Sequence, residues 1–100
     1  MVIRHVVMWQ LNGATKEERQ AKAVELAGAL TDLQYVVPDI QMLTAGANAL
    51  DAPGNWDLVL VVDLTDERAL EAYQVHPEHL AVAAKIKAVA VNRACVDIEL

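Results

Sequence analysis

The segment from Val2 to Leu11, VIRHVVMWQL, is a run of β-branched and apolar residues that stops at the turn signal Asn12-Gly13 and predicts a strand. Alternation divides it into Ile3, His5, Val7, Trp9 and Leu11 on one side and Arg4, Val6, Met8 and Gln10 on the other, and neither side is cleanly polar. The period then changes. Ala23, Leu26, Ala27, Leu30 and Leu33 recur at helical spacing behind Thr15 and Glu18, which fit a capping box, and predict a helix over residues 16–33. After Pro38, DIQMLTAGA returns to alternation, with Ile40, Met42 and Thr44 against Gln41 and Leu43, and predicts a second strand. NALDAPGN reads as a loop, and Asp57–Leu64, DLVLVVDL, apolar on both faces in its middle, as a third strand. Asp66 caps a helix through Tyr73. A residue before proline avoids helical backbone, so that helix breaks or kinks near His76 and resumes from Pro77 to Ala88. NRACVDIEL closes the chain as a strand, with Ala94, Val96, Ile98 and Leu100 on one face and Cys95, Asp97 and Glu99 on the other.

The order β-α-β-β-α-β predicts an α+β, ferredoxin-like domain over residues 1–100: an antiparallel sheet with its helices on a single face. The other face is then bare. A solvated sheet face is polar at every second position, yet Leu58, Leu60 and Val62 oppose Val59, Val61 and Leu64 or its neighbours, and Val6 and Met8 extend the apolar surface. Contiguous exposed apolar patches are unusual on monomers, so the pattern predicts a homodimer closed through the sheet faces.

Charge and composition narrow the partners. A net charge of -6 with no basic run argues against nucleic acid, whose binding draws on clustered Lys and Arg. Apolar runs fall far short of the ~20 residues that span a bilayer, which argues against a membrane. One cysteine, Cys95, and no secretory pattern at the amino terminus give a reducing cytoplasm as the expected location. Phe is absent, so Val, Leu, Ile and Ala must build the core, with Trp9 and Trp56 as core or pocket wall.

The candidate chemistry sits in AYQVHPEHL, residues 72–80, where Tyr73, His76 and His79 stand three apart around Pro77. Together with a histidine in the first strand, IRHVVMWQL, and the third strand NWDLVLVVDL followed by TDERALEAY, this His-Pro-x-His element makes the whole chain resemble the stress-responsive A/B barrel (Dabb) domain proteins of the dimeric α+β barrel superfamily. The resemblance implies a ferredoxin-like protomer that pairs its sheet with a second copy. Most members have no assigned activity. One plant member is a polyketide cyclase that closes a linear tetraketide thioester by aldol condensation without metal or organic cofactor. Its proposed site, carried over by the resemblance, falls on His5, Tyr73 and His79, and a further third-strand histidine falls at or near Leu58.

Such a closure needs a base to take a proton α to a carbonyl and a donor to hold the developing oxyanion. Imidazole suits the first task and Tyr73 the second, or the orienting of the base. If His5 shares a helix-facing side with Val7 and Trp9, the three side chains converge on a cleft open to small apolar or carbonyl compounds, with no cofactor and no metal. Structural readings stand beside this one: His76 satisfying backbone groups at the kink, Tyr73 as core packing, and Cys95 as buried and inert. His76, His79 and His5 give only a sparse metal-ligand set. The functions in view are a binding or stress-protection protein of unassigned activity, a cofactor-independent cyclase or isomerase, and a cofactor-free monooxygenase.

Overall fold

The computed structural model describes all residues from 1 to 100. Its elements are β1 (Ile3–Leu11), α1 (Lys16–Asp32) continued by a 3-10 turn (Leu33–Tyr35), β2 (Ile40–Ala47), β3 (Leu58–Leu64), α2 (Glu67–Val75), α3 (Pro77–Val89) and β4 (Ala90–Glu99). The strands form one antiparallel sheet in the order β2-β3-β1-β4. This is the expected ferredoxin-like α+β arrangement. No helix is long and apolar enough to cross a membrane.

Local chemistry sets the helix boundaries. Thr15 Oγ1 accepts from the Glu18 amide at 3.1 Å, while the Glu18 carboxylate reaches back to the Ala14 amide at 2.9 Å, a capping box displaced by one residue on its return arm. Asp66 caps α2 by accepting from the Ala69 amide at 2.8 Å. His76 lies in extended backbone, φ -61 and ψ 135, because the ring of Pro77 excludes it from the helix. Its Nδ1 accepts from the Glu78 amide at 3.1 Å, so His76 closes one helix and caps the next.

Alternation along the strands decides which side is covered. His5, Val7, Trp9 and Leu11 of β1 and Leu58, Leu60, Val62 and Leu64 of β3 are all buried, and they join Leu26, Leu30, Tyr73, Val82 and Ile86 from the helices in the core. Leu64 thus lies on the covered side. Asp63 takes the open-side position near the end of β3, where Arg4 grips it through Nε at 2.7 Å and Nη2 at 2.8 Å and holds its carboxyl below the usual carboxylate range.

The open side is apolar. Val6 pairs with Val61 and Val96, Met8 with Val59 and Ala94, and no element of the chain lies over them. β4 shows an inverted polarity. Its apolar residues Val96 and Ile98 face the open side at 62% and 44% exposure, while Arg93, Cys95 and Asp97 face the helix side. β4 also starts earlier than the alternation predicts, at Ala90, because α3 hands over to it directly: Ala90 caps the helix and is already extended, at φ -78 and ψ 136.

Candidate functional site

The β1–β4 ladder sets Trp9 opposite Arg93, Val7 opposite Cys95 and His5 opposite Asp97. Opposed residues project to the same face, so a row of polar β4 side chains runs beside the buried row of β1. The helices make few contacts with β4. A cavity of about 450 Å³ remains there, walled by Val7, Trp9, Leu30, Leu60 and Ile86 and completed by His5, His79, Lys87, Asn92 and Arg93.

His5 is 3% exposed. Its Nδ1 is hydrogen-bonded to Asp97 Oδ1. A carboxylate has no proton to give, so Nδ1 donates and the lone pair lies on Nε2 of a ring that lines the cavity. His79, in the first turn of α3, repeats the arrangement: its Nδ1 donates to the Gln74 carbonyl at 3.0 Å, which again leaves Nε2 as the acceptor. Burial pushes the His79 pKa below its ordinary value. The Gln74 carbonyl works against that shift, and the nearby positive ends of His5, Arg93 and His76 add to it.

Tyr73 sits behind the two imidazoles. Its ring centroid is 4.5 Å from that of His79 and 6.4 Å from that of His5. The structure therefore gathers all three residues singled out in the sequence, but Tyr73 is wholly buried and does not line the cavity. Its hydroxyl has no hydrogen-bond partner, and burial drives its pKa up, so it is a neutral phenol near neutral pH.

Cys95 is exposed, which overturns the expectation of a buried thiol. The reason is the edge position of β4, over which no helix is packed. Its Sγ lies 3.5 Å from His5 Nδ1, the same nitrogen that Asp97 holds. A Cys-His-Asp relay needs thiol and carboxylate on opposite ring nitrogens, so the arrangement is not a nucleophile triad. Desolvation and the Asp97 carboxylate raise the thiol pKa, and Arg93 works against that shift.

The structure does not bring His76, His79 and His5 together as a ligand set. The donors it does bring together are His5, Cys95 and Asp97, within 4.8 Å of one another. A soft divalent ion held there would have to break the His5–Asp97 hydrogen bond and sit beside Arg93, which also contacts the thiol. The hydrogen-bonded pair satisfies the same atoms without that opposition. Asp97, Lys87 and Arg93 belong to no sequence motif. The available signal was parity: Arg93 and Asp97 share a β4 face, and only the register with β1 shows that it is the face of His5.

Two outcomes follow from these environments. Replacing Tyr73 with Phe removes a buried hydroxyl that lacks a partner, a group that costs on the order of 1–3 kcal/mol. The variant should be at least as stable as the parent by urea unfolding, and a loss of stability would reveal a partner for the hydroxyl. For His79 the lowered pKa means that the unfolded chain binds the proton more readily. The stability it contributes is complete above its ordinary pKa of 6.5 and is lost as the pH falls through the folded value. Unfolding free energies from about pH 8 to about pH 5 should therefore fall less steeply for His79→Gln than for the parent.

Comparison with known proteins agrees with the fold. A dimeric ferredoxin-like protein of unknown function from Thermobifida fusca superposes with a TM-score of 0.84 at 31% identity, covering 100% of this chain and 92% of that one. A dimeric protein of unknown function and ferredoxin-like fold from Bacteroides fragilis gives a TM-score of 0.86 at 26% identity, with 99% and 96% covered. The hydroxynitrile lyase from Passiflora edulis shares the fold alone, at 11% identity and a TM-score of 0.78, with 99% and 93% covered. No curated protein matches the chain. The sequence pattern of the Stress responsive A/B Barrel Domain, Dabb, matches residues 3–100, and the chain belongs to that family.

Proposed function

We propose that this chain forms a homodimer through its open sheet faces and that the cavity binds a small, mainly apolar carbonyl compound. His5, oriented by Asp97, acts there as a proton acceptor. The observation that carries the reading is a buried imidazole on the cavity wall whose Nδ1 is fixed by a carboxylate and whose Nε2 stays free. That is the protonation pattern a general base requires. His79, with Nδ1 held by Gln74, supplies a second acceptor. The roles of the three residues divide accordingly: His5 and His79 face the ligand, and Tyr73 positions both rings from behind. The reaction class is proton abstraction α to a carbonyl, as in a cofactor-independent cyclase or isomerase.

The dimer rests on β4. A solvated strand does not point Val96 and Ile98 at water and Asp97 and Arg93 towards the helices, but a strand covered on its open side by a second copy does. Arg4 and Asp63 then form an ion pair at the margin of that interface, and the dimeric structural relatives make a second copy the natural occupant.

Val61→Glu places a charge in the centre of the open face and should convert a dimer into a monomer in sedimentation equilibrium, with the circular dichroism preserved; a parent protein that sediments as a monomer removes the assembly. For the chemistry, 4-phenyl-2-butanone in D₂O should lose its α-proton signals in a protein-dependent manner by NMR. His5→Gln should slow that exchange by about 10²–10⁴-fold while the dimer persists. Equal exchange with parent and variant removes His5 from the mechanism. Absence of protein-dependent exchange with the ketone still bound leaves a binding protein in place of a catalyst.

A further inference from the structure

The charge of the cavity wall is the reverse of the charge of the molecule. The chain has 14 acidic and 8 basic residues, yet the residues lining the cavity include Lys87 and Arg93 and no carboxylate. Neither cation takes part in an ion pair with the chain. The carboxylate nearest along the ladder, Asp97, is committed to His5. Lys87 lies in the last turn of α3 and Arg93 near the start of β4, so the α3–β4 junction brings both to the cavity wall. The remaining wall, Val7, Trp9, Leu30, Leu60 and Ile86, is apolar. Two unpaired cations on an otherwise apolar wall are the complement of an amphipathic anion.

We infer that Lys87 and Arg93 anchor the carboxylate of an apolar oxo-acid and thereby present its ketone to His5 and His79. This specifies the ligand class of the carbonyl site proposed above and rests on that reading. The ladder gives the scale. Arg93 and Asp97 are four residues apart on β4, about 13 Å along the strand. The Arg93 side chain leans towards Cys95, between Trp9 and His5, and shortens that span. A carboxylate bound there lies within a few carbon atoms of the imidazoles. The two cations have a second effect: once their charge is neutralised by a bound carboxylate, the repulsion that Arg93 exerts on a protonated His79 weakens.

The probe is 4-oxo-4-phenylbutanoate, measured by calorimetry against its primary amide, which has the same shape and no charge. The acid should bind the parent protein at least about tenfold more tightly than the amide at low salt, and the ratio should shrink at high salt because both cations are partly exposed. Arg93→Gln and Lys87→Gln should each weaken acid binding and leave amide binding unchanged, and the double variant should bind both alike. Equal affinity for acid and amide in the parent, or equal loss of both in the variants, overturns the anchor and leaves the carbonyl cavity standing. Failure of the parent to bind either compound overturns the cavity reading together with the anchor.

Discussion

Pro77 has no amide hydrogen, and its ring keeps His76 out of helical backbone. The chain therefore ends one helix at Val75 and begins another at Pro77, with His76 serving both as terminus and as cap. Tyr73 in the last turn of α2 and His79 in the first turn of α3 are consequently packed ring against ring, which an unbroken helix would not permit in that orientation. Beneath them lies His5, which the pleat of β1 directs to the same side as Val7 and Trp9. The site is thus a product of the proline break above and strand parity below. Neither the break nor the parity involves a ligand.

The same parity accounts for the two unusual surfaces of the molecule. The helices cover β3 and β1 well and reach β4 poorly, so the helix-side groups of the edge strand remain accessible and form a cavity beside the core. Polar side chains are tolerated there because they meet both water and the His5 imidazole. On the reverse of the strand, apolar residues continue the surface of Val6, Met8, Val59 and Val61. In this account a second copy covers that surface, and the cavity is the part of the helix side that packing leaves unfilled. Assembly and ligand site would then lie on opposite faces of one sheet, with Arg4 and Asp63 on the first and His5 and Asp97 on the second.

Much of this was legible in the chain itself. The alternation in VIRHVVMWQL placed His5 with Val7 and Trp9, the helical period of Leu26 and Leu30 gave the covering helix, and His76-Pro77 marked the break. Those features are local, and a local pattern suffices to state them. The partner of His5 was not legible, since Asp97 is 92 residues away and only the β1–β4 register brings the two together. Plain alternation along β3 puts Leu64 with Leu58, Leu60 and Val62, while the exposure of Cys95 follows from the edge position of β4. An alternating strand shows that two faces differ, but it does not say which faces inward. In β4 the polar set faces the helices, against the simplest expectation. The burial of Tyr73 behind the histidines depends on the angle between two helices, which no spacing encodes.

The central claim is that Asp97 fixes the proton of His5 on Nδ1 and leaves Nε2 as a lone-pair acceptor facing the cavity. Long-range ¹⁵N–¹H spectra of the protein, recorded at mildly alkaline pH with the three histidines assigned by substitution, report this directly. The account predicts that His5 is the Nδ1–H tautomer in the parent and redistributes towards Nε2–H in Asp97→Ala. A parent protein in which His5 carries its proton on Nε2 would contradict it.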